Sequence, residues 1–112
     1  MKPDWVKFEE HIIEVLKSID PYCSRTPGSG NGGCKSDVKT CLPLQIEAKL
    51  RKTKNITINM DVWDKLKGEI PFHCDKLPVY CLEQKDKRRF AVLDLDSFLE
   101  LFIDYWKLKN EG

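Results

Sequence analysis

Leu44-Gln45-Ile46-Glu47-Ala48-Lys49-Leu50 has the two-residue alternation of an extended strand. Successive side chains of a strand point to opposite faces, so Ile46 and Ala48 share one face while Glu47 and Lys49 share the other. The apolar pair is expected in a core. An acid and a base side by side are then left at the end of a buried strand, an unusual way to finish one.

The neighbouring segments read outward from this strand. Upstream, Leu42-Pro43 marks a turn, and Asp37–Thr40 and Tyr22–Thr26 are short strand candidates. Between those two lies Pro27-Gly28-Ser29-Gly30-Asn31-Gly32-Gly33, a loop by composition. Residues 4–19 form a helical pattern, with Trp5, Phe8, Ile12, Val15, Leu16 and Ile19 recurring at steps of three and four. Pro3 and Pro21 bracket it. Downstream, Asn59–Glu69 reads as a helix with Met60, Trp63 and Leu66 on one side. Leu77–Leu82 and Arg89–Leu93 read as a hairpin around the charged turn Glu83–Arg88. The final helix is expected to start at a capping box, Ser97-Phe98-Leu99-Glu100, and to bury Phe98, Leu101, Phe102, Tyr105 and Leu108. The order α, three β, α, two β, α predicts a single α/β domain over residues 1–112. Its expected architecture is a mixed sheet of about five strands flanked by helices.

Composition narrows the partners. The net charge is only +1, yet residues 23–54 carry seven Lys/Arg against Asp37 and Glu47, and residues 94–112 carry five acids against two lysines. A basic band around two isolated acids suits a phosphate-bearing partner that must also meet a metal, although a solvated loop and strand edge has the same charge pattern. No apolar run approaches the ~20 residues of a membrane span, and no signal peptide opens the chain. The five cysteines are odd in number and lack CxxC spacing, which fits reduced thiols in the cytoplasm better than disulfides or structural zinc.

Strand alternation also suggests a chemistry. If Asp37 lies on a strand beside Glu47, the two carboxylates make a hard, oxygen-rich site for Mg²⁺, with Mn²⁺ as a substitute. Lys49 would then hold the attacking water or offset charge on a phosphate. Without that context, Glu47 and Lys49 are simply an ion pair on a strand. On the first helix, Glu9 is four residues from Trp5, three from Ile12 and seven from Leu16, whereas Glu10 aligns with Glu14 and Lys17 on the wet side. Glu9 is therefore the carboxylate expected to face the site. A phosphate-binding P-loop at Gly28–Ser36 is excluded. Cys34 stands where that motif needs Gly before Lys35, and no apolar strand precedes it.

Taken in order, a helix with Glu9, the Arg25-Thr26-Pro27-Gly28-Ser29-Gly30 loop, Ser36-Asp37-Val38 and Ile46-Glu47-Ala48-Lys49 resemble the PD-(D/E)XK nuclease superfamily. The resemblance is greatest to the archaeal and phage Holliday-junction resolvases and runs through most of the chain. It implies a restriction-endonuclease-like fold, with Asp37, Glu47, the Ala48 carbonyl and Glu9 around Mg²⁺ and Lys49 as the catalytic lysine. Arg25 and Ser29 would approach the DNA backbone, and Arg51, Lys52 and Lys54 would add phosphate contacts. The implied substrate is branched DNA, the implied assembly a homodimer, and the setting the cytoplasm of a prokaryote or of a phage host. Ser36 stands where the superfamily name has Pro, and the helix after Lys49 lacks the Gln common in resolvases. Two alternatives stay open: another nuclease of the superfamily acting in repair, restriction or nicking, and a DNA-binding module without catalysis.

Overall fold

The computed structural model describes residues 2–26 and 37–111. Helix α1 spans Asp4–Leu16, strand β1 Ser24–Arg25, β2 Val38–Lys39, β3 Leu44–Arg51, α2 Met60–Gly68, β4 Leu77–Gln84, β5 Arg89–Val92 and α3 Leu95–Glu111. The element order is the expected one. Among the described residues the five strands do not join into a single sheet. β1 and β2 form an antiparallel pair, while β3, β4 and β5 form a separate mixed sheet with β4 in the centre. Asp37 is the reason the two do not merge. Its backbone N–H reaches the Ile46 carbonyl, but the next donor along β3, Ala48 N–H, is taken by the Asp37 side chain at 2.8 Å. A carboxylate stands where a ladder bond at Ala48 would be, so the ladder is interrupted there.

β3 and β4 run parallel, with Ile46 beside Val79, Glu47 beside Tyr80, Ala48 beside Cys81 and Lys49 beside Leu82. The connection between them contains α2, because parallel neighbours need a crossover rather than a tight turn. Each face of the sheet has its own apolar cluster. On one, Ile46 packs with Ile13 of α1, Cys23 and Val38. On the other, Tyr80 and Leu82 are fully buried against Leu66 of α2, with Trp63 and Val92 beside them. Burial on both faces is the usual condition of a parallel pair.

Several boundaries and faces differ from expectation. α1 stops at Leu16, and its inward residues are Val6, Phe8, Glu9 and Ile13; Val15 and Ile19 are exposed. The cause is Asp20, which is buried and accepts hydrogen bonds from Tyr22 N, Thr40 Oγ1 (2.6 Å) and Cys41 N. That anchor turns the chain away from the helix direction. β4 runs on through Glu83 and Gln84, because the buried Glu83 pairs with Arg89 across the hairpin at 2.8 Å. In α2, Leu66 is buried as expected, whereas Met60 is exposed. α3 begins two residues before Ser97. Its cap is Asp94, whose Oδ1 accepts from Asp96 N and Ser97 N. The stripe expected to be buried on α3 is not buried in the single chain. Phe98, Leu101, Phe102, Tyr105 and Leu108 are all exposed, and α3 has at most marginal contact with the other elements.

Candidate active site

The edge of β3 that faces away from β4 collects the residues singled out by the sequence. Asp37 arrives there just before β2, fixed by three bonds: its N–H to Ile46 O, its carbonyl from Thr26 N and its Oδ2 from Ala48 N. The N–H and C=O of one strand residue project to the same side. The Ala48 carbonyl is thus turned toward the Asp37 side of the strand. Glu47 comes from the α2 face of the same edge, close enough to Asp37 for the two carboxylates to interact. Its pKa is raised, first by burial and then by the Asp37 charge, with Lys49 opposing both. Lys49 Nζ is 3.4 Å from Glu47 Oε1, and its side chain is nearly half exposed.

Glu9 approaches from α1, on the opposite face of the sheet. It lies on the packed side of the helix, only 4% exposed, while Glu10 points outward to Lys2. Arg25 of β1 receives it, with Nε 2.8 Å from Oε1. Burial raises the Glu9 pKa; the Arg25 hydrogen bond lowers it, and the charge of Asp37 raises it further. The Arg25 guanidinium also lies over the Trp5 ring, 5.2 Å from its centroid. Lys49 is close enough to Glu9 to stabilise its charged form. One edge therefore carries three carboxylates and two cations, with Arg25 and Lys49 acting on Glu9 and Lys49 on Glu47.

Among the described residues, no three His, Cys, Asp or Glu side chains converge as a ready metal cage. The donor set nevertheless suits a hard divalent ion. The charge of Asp37 helps to raise the Glu47 pKa, a like-charge arrangement that a cation would relieve. Glu9 is held by Arg25 rather than turned to that pair.

The remaining site residues are spread along the basic band. Arg51 ends β3 with its guanidinium bonded to Tyr80 Oη at 2.6 Å and to Leu50 O. Lys52 and Lys54 are exposed on the segment after it, and Gln84 Nε2 ties that segment down through Thr53 O and Lys54 O. Arg51 and Lys52 line a cleft of about 330 Å³ at the C-terminal ends of β3 and β4, shared with Lys85 and Lys87. Ser29 lies outside the described residues.

Three contributors were not found from sequence. Asp20 joins the turn after α1 to the end of β2 and so frames the ribbon that carries Arg25 and Asp37. Its pKa is lowered, chiefly by the Thr40 hydroxyl. The only sequence cue was the Asp20-Pro21 dipeptide, a turn signal. Trp5 supports Arg25, and Tyr80 orients Arg51. Cys81, beside Ala48, has its thiol pushed up to about 11 by burial and by Asp37, so it sits as an inert neutral group under the site.

No family model matches the chain, and no curated protein or solved structure is significantly similar to it.

Proposed function

We propose that the protein is a metal-dependent endonuclease that hydrolyses phosphodiester bonds in branched DNA, of the Holliday-junction resolvase type. One observation carries the reading. Two carboxylates close enough to interact electrostatically, Asp37 and Glu47, sit on one strand edge with Lys49 3.4 Å from one of them. A buried or half-buried acid pair is costly without a cation to receive it, and a strand edge kept only for stability would favour a simple ladder. Asp37, Glu47 and the Ala48 carbonyl would hold Mg²⁺ or Mn²⁺, with Glu9 completing the set. When bound, the ion would polarise a phosphoryl oxygen and make a water a better nucleophile.

The chain's own groups do the rest. In the hydrolysis, water oxygen bonds to phosphorus, the P–O bond to the leaving sugar breaks, and that oxygen takes up a proton. Lys49 offsets the negative charge that grows on the phosphate and can hold the water against it. Arg25 binds a backbone phosphate when it lets go of Glu9, so substrate contact and delivery of Glu9 to the site are coupled. Lys52 and Lys54 hold the flanking backbone without reading sequence. Symmetric cutting of a four-way junction needs two such sites, hence a homodimer.

The Arg25–Glu9 ion pair, which leaves no ready three-carboxylate cage, favours a second reading, a DNA-binding module without catalysis. One experiment separates them: a labelled four-way junction, a flap and a linear duplex incubated with wild type or Asp37→Asn, with Mg²⁺ or EDTA. The nuclease reading expects Mg²⁺-dependent cutting of the junction by wild type alone. Lys49→Ala should lose about 10²–10³-fold in rate while binding DNA normally. Equal cutting by Asp37→Asn, or cutting in EDTA, overturns the site. Tight junction binding with no cutting under any condition leaves the binding module.

A further inference from the structure

We infer that α3 is the dimerisation element and that it pairs with α3 of a second copy in antiparallel orientation. The helix is 17 residues long, and its apolar residues are 44–75% exposed. Positions 95, 98, 102, 105 and 109 follow the alternating three- and four-residue steps of a coiled-coil seam, occupied by Leu95, Phe98, Phe102, Tyr105 and Lys109. Leu99, Leu101, Trp106 and Leu108 flank the seam. Asp96, Glu100, Asp104, Lys107 and Glu111 fall on the opposite face. An isolated helix of this length is marginal in water, and a monomer seldom exposes an apolar patch beyond a few hundred Å².

The area identifies the occupant. Each aromatic ring carries about 150–250 Å², so four half-exposed rings and the four exposed Leu side chains on or beside the seam offer on the order of 700 Å² per copy. That comes close to the ~800 Å² each partner gives a standard interface. The segment Pro27–Ser36 holds no large apolar side chain that could cover it. A second copy brings the same patch, and a two-fold axis makes the contact self-complementary.

Lys109 fixes the direction. In a parallel pair the two Lys109 ammonium groups would meet inside the seam. In an antiparallel pair each Lys109 lies at the far end, near the partner's helix start with its Asp94 carboxylate, and Phe102 meets its own counterpart at the axis. Central aromatic contacts of this kind carry most of an interface's energy.

Sedimentation velocity over a micromolar dilution series, without DNA or metal, tests the proposal. Wild type should sediment as twice 13.1 kDa. Phe102→Glu, checked for folding by circular dichroism, should raise the dimer Kd by about 100-fold or more. Phe102→Leu should keep the dimer. Lys109→Met should leave the Kd within a few-fold; tightening of about tenfold or more would mean a relieved Lys–Lys clash and overturn the antiparallel arrangement. A monomeric wild type, or an unaffected Phe102→Glu, overturns the interface, and the wild-type series decides even if that variant is unstable. The assembly does not rest on the nuclease reading. A monomer that cuts DNA sinks this inference alone, and a dimer that never cuts sinks that reading alone.

Discussion

Glu9 and Glu47 are carboxylates whose pKa values are both raised, in each case first by burial. Between the ordinary glutamate value of 4.5 and the raised folded values, the folded chain keeps protons that the unfolded chain has released. The unfolding free energy therefore falls as pH rises through that window, and above it the full cost of two crowded charges remains. Asp20 has the opposite sign: its stabilisation is present above its ordinary 3.8 and is lost only as pH falls below that value. The expected outcome is a metal-free protein whose melting temperature falls, as pH rises above 4.5, more steeply than that of Glu47→Gln. Calorimetry at low ionic strength would show it, with Glu47→Gln melting higher than wild type at neutral pH. A parallel pair of profiles would mean that Glu47 is not under electrostatic stress. The positions of Asp37, Glu47 and Lys49 were legible because strand alternation and sequence spacing bring them to one edge. The Arg25–Glu9 pair was not, since neither residue signals which partner a distant strand will supply.

At the scale of elements, order and type followed from periodicity, and the departures came from side chains that compete with backbone pairing. Asp37 occupies Ala48 N–H and splits the sheet; Glu83 draws Arg89 across and lengthens the hairpin. Neither effect leaves a periodic trace in sequence. The start of α3 is similar. Ser97 three residues before Glu100 satisfies the pattern of a capping box, yet Asp94 accepts the free N–H groups two and three residues ahead of it. Asp94→Ala should destabilise the helix by about 1 kcal/mol, while Ser97→Ala, inside the first turn, should be nearly neutral. Thermal unfolding of the two variants checks this. Equal losses would return the cap to Ser97.

For the whole molecule, charge segregation is the feature that composition foretold and the fold organises. The C-terminal ends of β3 and β4 open into a cleft where Arg51, Lys52, Lys85 and Lys87 outnumber the acids Asp4 and Glu83. The same strand carries Lys49 only two residues earlier, so a phosphate backbone lying in the cleft would pass the acidic edge. Arg51 is already committed to Tyr80, which makes it a fixed charge, whereas Lys52 and Lys54 are exposed and free to follow a substrate. If DNA lies along this track, its affinity must fall with salt, because each neutralised phosphate releases a counterion. The Asp37→Asn protein, which the nuclease reading expects not to cut, allows binding to be measured by fluorescence anisotropy. Replacing both Lys52 and Lys54 with Ala in that background should weaken binding to every sequence about equally and reduce the slope of log K against log salt by about 2. An unchanged slope would place the DNA elsewhere on the surface. A loss confined to one sequence would make these lysines readers of bases, which exposed ammonium groups on a tethered loop are poorly built to be.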